Sequence, residues 1–359
     1  MSVELAPALE EVLRPVLGDV TVENLQRLTG GASRTTWAFS AHARSRSGTA
    51  HARSRSGTAH ARSESDTAHA RSESDTAQTG GAGRPLILRT GARDDIHASM
   101  ELEAKVQQRA AAAGAPVPHI VTADNSPAAV GAPYLICDAI AGETIVRRIF
   151  RGLDDGGRAR LLEQCATALA AIHRADPAGI GLTSPDDLAG WRSRLDEIGD
   201  TTATFEWTFR RLADARPDPS PMRLVHGDFR MGNLIVDESG LAAVLDWELT
   251  HIGEIYEDLA WFCIRAWRFG APETLGAGGL GSVETFLQAY ESAADTSLDR
   301  NTFRWWLTVA TLRWGVICRH QAERHLSGES PSVELAAIGR RVSETEWDLL
   351  ELLSGGGPR

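Results

Sequence analysis

The sequence predicts an α+β protein of two lobes, an N-terminal antiparallel β-sheet lobe and a mainly helical C-terminal lobe. Strand-like runs bounded by Gly and Pro concentrate before residue 139, whereas from Thr144 onward apolar residues recur at helical spacing. A third observation is one hairpin set inside the helical block, Leu224 to Glu248, LVHGDFRMGNLIVDESGLAAVLDWE, which carries several metal- or proton-handling side chains. The 359 residues suffice for two domains or one bilobal unit.

Residues 1–20 hold Leu5, Leu9, Val12, Leu13, Val16 and Leu17 at helical spacing, with Pro15 limiting the regularity. Leu28 to Trp37 then supplies a Gly-Gly pair and small polar residues leading into a β-rich run that ends near Ser40. Paired glycines let a turn's backbone N–H groups approach phosphate oxygens, although Gly-Gly-Ala-Ser alone also describes a plain β-turn. From Ala41 to Thr76 the sequence repeats with a nine-residue period, AHARSRSGT twice and then AHARSESDT twice. So little apolar surface cannot offset ordering entropy, which predicts a disordered insertion over 41–78. Its six Arg and four Asp or Glu leave the rest of the chain at −13 against a total of −11. Removing it joins Thr35–Ser40 to Arg84–Arg89 as a hairpin with a lengthened loop, which costs little because closure entropy grows logarithmically.

A helix is expected from Met100 to Ala113–Gly114, and Pro116 and Pro118 mark the return to strands. Ala132 to Asp138 reads as a buried strand. Further helices are expected over Arg158–Ala171, near Trp191–Leu212, and over Leu259–Phe269, Val283–Ala289 and Phe303–His320, with one long helix over Ser332–Leu353. Trp305, Trp306 and Trp314 read first as core and second as an aromatic wall for an ammonium group.

Within the 224–248 stretch, Leu234–Val236 and Leu241–Leu245 form a hairpin about the turn Asp237–Gly240, which brings Asp246 back beside Asn233. Asp228 and Asn233 are five residues apart, the spacing of Asp and Asn in the protein-kinase catalytic loop H-R-D-x-x-x-x-N. There the Asp orients the attacking hydroxyl and the Asn binds magnesium. Together with His251-Ile252-Gly253 and Glu257-Asp258-Leu259-Ala260-Trp261, the motifs His-Gly-Asp-Phe-Arg-Met-Gly-Asn and Leu-Asp-Trp-Glu resemble the aminoglycoside phosphotransferase and choline kinase superfamily, in its broad bacterial branch.

That resemblance implies a bilobal protein-kinase-like fold, with residues 1–138 as the nucleotide-binding lobe and 139–359 as the catalytic and substrate lobe. It implies an ATP- and Mg2+-dependent kinase moving the γ-phosphoryl group to a hydroxyl of an aminoglycoside-like, choline-like or other small molecule. Asp228 is the expected catalytic residue, and Asn233 and Asp246 the magnesium ligands. Gly30, Gly31, Ala32 and Ser33 would cover the nucleotide, Arg89 would contact its phosphates and pair with Glu103, and Cys137, Asp138 and Ile140 would meet adenine at the hinge. Arg89 stands where the superfamily usually has lysine, so a catalytically weak nucleotide-binding scaffold is the alternative. His226 and Asp258 are expected to brace the loop, and Arg230 either to do likewise or to reach substrate.

The acidic charge argues against nucleic acid. The apolar runs fall short of a membrane helix, and the acidic N-terminus is unlike a signal peptide, so the cytoplasm is expected. Cys137, Cys165, Cys263 and Cys318 lack metal or disulfide spacing and read as buried thiols. Either a monomer or a homodimer fits.

Overall fold

The computed structural model describes residues 2–28, 34–44, 83–91, 97–185 and 187–355. The chain opens with α1 (Ser2–Leu17), whose helical apolar spacing buries Leu9 and Leu13 completely. Five strands follow, β1 (Val20–Leu28), β2 (Thr35–Ala43), β3 (Arg84–Thr90), β4 (Ile120–Asp124) and β5 (Tyr134–Asp138), with α2 (Met100–Ala112) between β3 and β4. They form one antiparallel sheet in the order β1-β2-β3-β5-β4. The expected hairpin is present: Thr36 faces Arg89 and Ser40 faces Pro85.

One boundary and one strand of this sheet differ from the sequence reading. Ala41, His42 and Ala43 of the first repeat unit continue β2, and Ala41 is buried against the sheet core. The remainder of the 41–78 insertion lies outside the described residues, apart from Arg44. Strand β1 had no sequence signal of its own. It carries a bulge between Glu23 and Gln26, with Asn24 at φ 57°, which breaks the alternation a strand is recognised by.

The alternation of β3 positions the site. Leu86 and Leu88 join Phe39, Ala41, Tyr134, Ile136 and the α1 residues Leu9 and Leu13 on one face of the sheet. Ile87 packs on the other face, with Met100 and Ala104 of α2 and Leu135 and Cys137 of β5. Arg89 shares that second face and therefore points toward α2. Ser99 caps α2 by accepting from the Leu102 N–H, and Gly114 at φ 97° ends it.

The rest is helix-rich. Helices α3 (Val146–Gly152), α4 (Asp155–Arg174), α5 (Asp187–Ile198) and α6 (Ala203–Asp214) precede β6 (Met222–Val225), the β7 (Leu234–Asp237) and β8 (Gly240–Val244) hairpin, and β9 (His251–Glu254). Helices α7 (Ile255–Cys263), α8 (Val283–Ala294), α9 (Arg300–Leu326), α10 (Val333–Gly339) and α11 (Val342–Leu353) complete the chain. The helix expected near Trp191–Leu212 is two, interrupted at Gly199, whose φ of 70° suits glycine. The long helix expected over Ser332–Leu353 is also two, parting at Arg340–Arg341. The 259–269 segment is helical only to Cys263 and tightens to a 3-10 turn over Arg265–Arg268.

One large core joins these elements, with Leu169, Phe205, Phe229, Leu259 and Phe262 fully buried. The lobes are stitched by backbone bonds: Ala98 N–H donates to Glu248 O (2.7 Å) and Val244 N–H to Pro116 O (2.8 Å); within the helical lobe, Glu143 and Val236 exchange a pair. Trp305 and Trp306 are core, whereas Trp314 belongs to an aromatic cluster described below. All four cysteines are buried and unpaired. Among the described residues, no helix is long and apolar enough to cross a membrane. Leu88→Ala should cost about 2–5 kcal/mol of unfolding free energy, because Leu88 is fully buried at the centre of the sheet core. Denaturant melts would measure it.

Candidate functional site

The loop between β6 and β7 is held by groups beneath it. Gly227 has φ 82°, and a Cβ there would lie 2.4 Å from Leu249 O, so only glycine fits. The buried Asp258 accepts the His226 N–H on Oδ2 (2.8 Å) and the Gly227 N–H on Oδ1 (2.9 Å). Arg313 donates from Nη2 to Gly227 O (2.7 Å) and from Nη1 to Glu257 (2.8 Å), and Glu257 meets His251 at 2.8 Å. Asp258 does not cap its own helix; its oxygens serve the loop. Burial pushes its carboxyl upward, but the His173 hydrogen bond and charge outweigh this and hold it below the usual range. His173 Nδ1 in turn meets the Tyr290 hydroxyl at 2.8 Å.

His226 is fully buried. Its Nδ1 accepts the Asp228 N–H (3.2 Å) and its Nε2 lies 3.0 Å from Leu245 O. Only the neutral tautomer protonated on Nε2 satisfies both partners. Burial lowers the imidazole pKa despite the nearby Asp258 and Asp228 charges.

Asp228 sits at the head of this loop. Its Oδ1 accepts from Arg230 Nε (3.0 Å) and Trp261 Nε1 (2.8 Å). Its Oδ2 accepts from Arg230 Nε (3.1 Å) and Asn233 Nδ2 (2.7 Å). The β7–β8 hairpin then returns the chain, with Leu245 N–H donating to Asn233 O (2.8 Å). Asp246 follows with φ 68°, a left-handed conformation that aspartate tolerates better than most residues.

A chain of charges runs from Asp246 into the sheet lobe. Arg89 donates from Nη2 to Asp246 Oδ1 (2.8 Å) and from Nη1 to Glu103 Oε2 (2.9 Å). Burial opposes the Arg89 charge, but Glu103 and Asp246 more than offset it and raise its pKa. Arg34 takes the other oxygen of Glu103 (3.0 Å) and also donates to Ala98 O (2.8 Å) and Glu248 (3.3 Å). The helix glutamate paired with Arg89 is therefore Glu103; Glu101 instead accepts the Asn125 N–H.

Of the three residues expected at the hinge, Cys137 lies in β5 between β3 and β4, and burial pushes its thiol up to about 12. The Asp138 carboxylate is engaged by Arg84 through Nε (2.6 Å) and Nη2 (2.9 Å), and its N–H by His119 O. Ile140 follows outside the sheet. Its N–H donates to nothing among the described residues. Gly30, Gly31, Ala32 and Ser33 lie outside the described residues. The fold thus gathers Asp228, Asn233, Asp246, Arg89 and Glu103, sets Cys137 and Asp138 at the end of β5, and leaves Ile140 two residues beyond it.

Among the residues of this network without a role in the sequence reading are Arg34, Glu248, Trp261 and Arg313. Arg313 had a readable signal, a lone charge inside the apolar run of α9, which implies a buried partner. Trp261 had none, since its Nε1 is one donor on an apolar ring.

The sequence model of the phosphotransferase enzyme family matches residues 67–297. Curated relatives include acyl-CoA dehydrogenase family member 10 of Mus musculus, 24% identical over 294 residues, covering 74% of this chain and 27% of that protein. Acyl-CoA dehydrogenase family member 11 of Homo sapiens is 23% identical over 274 residues, 70% of this chain and 35% of that protein. The chain thus spans about a quarter to a third of the length of these relatives. Among solved structures, a putative aminoglycoside phosphotransferase from Ralstonia eutropha JMP134 superposes with TM-score 0.70 and 18% identity, over 96% of this chain and 98% of that one. A choline/ethanolamine kinase family protein from Mesorhizobium loti gives 0.56 and 17%, over 92% and 87%. A thermostable mutant of aminoglycoside phosphotransferase APH(4)-Ia, in ternary complex with AMP-PNP and hygromycin B, gives 0.58 and 17%, over 97% and 99%. At these identities the structural likeness speaks for the fold.

The lowered His226 pKa has a pH consequence. Between that value and about 6.5, the unfolded chain binds a proton that the folded chain does not. The stabilisation is thus present above about pH 6.5 and is lost as pH falls below it, by up to about 1.4 kcal/mol per pH unit. Urea melts from pH 7.5 to 5.5 should show this slope, and His226→Gln should flatten it.

Proposed function

The chain belongs to the phosphotransferase enzyme family, and on that premise we propose that it transfers the γ-phosphoryl group of ATP, with Mg2+, to a hydroxyl of a small molecule. The observation that carries this reading is that Asp228 and Asn233 pair on one loop, that the Leu245 N–H bond to Asn233 O sets the following Asp246 beside them, and that Arg89 of the sheet lobe joins Asp246 to Glu103. In the reaction the bond from the terminal phosphorus to the ADP oxygen breaks and a bond to the acceptor oxygen forms. The hydroxyl proton passes to Asp228, and ADP leaves.

Asp228 orients the hydroxyl and takes its proton, with His226, Asp258 and Arg313 fixing the loop so that little reorganisation is needed. Asn233 and Asp246 are the proposed magnesium ligands. Among the described residues no three His, Cys, Asp or Glu side chains converge as a metal-ligating set. This donor set suits magnesium, which usually takes one or two protein oxygens and completes its shell with phosphate and water. Asn233 spends its amide N–H on Asp228, which leaves its oxygen for a cation. When bound, the magnesium nucleotide supplies the phosphoryl group and neutralises charge on it.

Arg89 is the proposed phosphate contact, and the Gly30–Ser33 segment the proposed nucleotide cover. Because the Asp138 N–H is spent on His119 O, the Ile140 N–H, which has no partner among the described residues, is the better donor to adenine at the proposed hinge between a nucleotide lobe (1–138) and a catalytic lobe (139–359). The solved neighbour holds hygromycin B, and the curated relatives carry acyl-CoA dehydrogenase names, so hydroxylated antibiotics and hydroxyacyl thioesters both belong among the acceptors to screen. The proposed setting is the cytoplasm.

One observation favours a second reading. Arg89 is already committed to two carboxylates, as in a nucleotide-binding scaffold with weak or no transfer. An ADP-release screen over hydroxylated compounds, run beside calorimetry with Mg-ATP, separates the two. Transfer to an acceptor supports the enzyme, whereas binding without turnover for every acceptor supports the scaffold. In the enzyme, Asp228→Ala should reduce transfer by about 10²–10⁴-fold while leaving Mg-ATP affinity nearly intact.

A further inference from the structure

We propose that Arg230 is a specificity residue that receives a carboxylate or phosphate group of the acceptor, and that acceptor binding breaks its pair with Asp228. The inference rests on the phosphotransfer reading of the site.

A carboxylate offers about four lone-pair positions. On Asp228 each oxygen already accepts two contacts, from Arg230 Nε and Trp261 on one side and Arg230 Nε and Asn233 on the other. An incoming hydroxyl therefore needs one of the three donors to leave. Asn233 and Trp261 are buried and locked by packing. Arg230 is the exception, with its side chain 26% exposed and only Nε engaged. Its terminal nitrogens donate to nothing among the described residues.

The surroundings define what those nitrogens would meet. The Arg230 guanidinium lies 4.9 Å from the centroid of the Trp267 ring. It also lies flush on Gly232, where a Cβ would stand 2.3 Å from Nη1. Trp267 packs on Trp261 (5.3 Å) and Trp314 (4.8 Å), and Arg313 lies over Trp261 (4.4 Å). Every buried side-chain polar atom without a partner among the described residues is an N–H donor: Trp267 Nε1, Arg268 Nε, Arg313 Nε, Trp314 Nε1 and Trp306 Nε1. The first four belong to residues of this cluster or the turn beside it. On α11, Asp348 is paired with Arg265 and Glu344 with Arg341.

Unmet donors call for an acceptor-rich ligand. A cationic acceptor would add donors to donors. An anion is matched by a guanidinium fork held over an indole. The acceptor hydroxyl then takes the place Nε vacates on Asp228, while the guanidinium stays on Trp267 and turns its fork to the anion. This selects acceptors whose hydroxyl lies a few bonds from a carboxylate or phosphate.

The test compares matched probes, 3-hydroxybutyrate against 3-hydroxybutyramide and glycerol 3-phosphate against glycerol, with choline as a cation. ADP release is measured at constant ionic strength, with kcat and KM separated. The wild-type chain should prefer the anionic member of at least one pair by roughly tenfold or more in kcat/KM, chiefly through KM, as expected for a charge-assisted hydrogen bond. The pair that shows the preference identifies carboxylate or phosphate. The ratio should fall toward unity in Arg230→Gln, persist in part in Arg230→Lys, and drop in Gly232→Ala, where the added Cβ displaces the guanidinium without removing its charge. A wild-type preference for neutral or cationic probes, or a ratio unmoved in Arg230→Gln, overturns the proposal. Tryptophan fluorescence titrated with the same probes decides the matter independently of turnover. A saturable response to an anionic probe that is lost in Arg230→Gln supports it, and no response, or one equal in both proteins, overturns it. Absence of ADP release with every acceptor would count against phosphotransfer itself.

Discussion

Glu103 lies fully buried between two guanidinium groups, one oxygen on Arg34 and the other on Arg89. Burying three charges is tolerable only when each is paired, and removing one partner of such a set typically costs about 3–5 kcal/mol. This constraint fixes α2 against β3 and the residue that leads into β2. Through the second nitrogen of Arg89 it extends to Asp246, and through Arg34 to Glu248. The geometry descends from the simplest feature of a strand: with Leu86 and Leu88 claimed by the core beneath α1, Arg89 must emerge on the opposite face.

The helical lobe answers with a second fixture. Asp258 and Arg313 grip the His226–Gly227 backbone from opposite polarities, the carboxylate taking N–H groups and the guanidinium a carbonyl. The loop has no freedom left at Gly227, where a side chain would strike Leu249 O, and the neutral His226 ring closes the gap behind Asp228. In the proposed reaction, such rigidity is what turns two carboxylates and an amide into a catalyst, because phosphoryl transfer draws mostly on position and charge. The Arg230 side chain is the one loosely held donor in that frame.

The 224–248 stretch was legible because its spacing is local: Asp228, Asn233 and the hairpin returning Asp246 are all set by a few dozen residues of chain. The strands flanking the repeat were legible for the same reason. The partners of Arg34, Glu248, Trp261 and Arg313 were not, because each acts on a residue distant in sequence, such as Arg34 on Glu103 and Arg313 on Gly227. Strand β1 was hidden by its bulge at Asn24, and the helix breaks at Gly199 and Arg340 by apolar periodicity that continues across them. Trp314 shows the limit of pattern reading. Its spacing is that of Trp305 and Trp306, yet it packs on Trp261 and Trp267 beside the Asp228 loop while they fill core.

The joining of the two lobes through Arg89 into one nucleotide-phosphate site is the claim on which the functional reading stands. Calorimetric titration of Mg-ATP into Arg89→Gln, with folding verified by near-ultraviolet circular dichroism, tests it most directly. The expected result is affinity weakened by about tenfold or more, the size of a lost charge-assisted hydrogen bond. Affinity equal to that of the parent chain would contradict it.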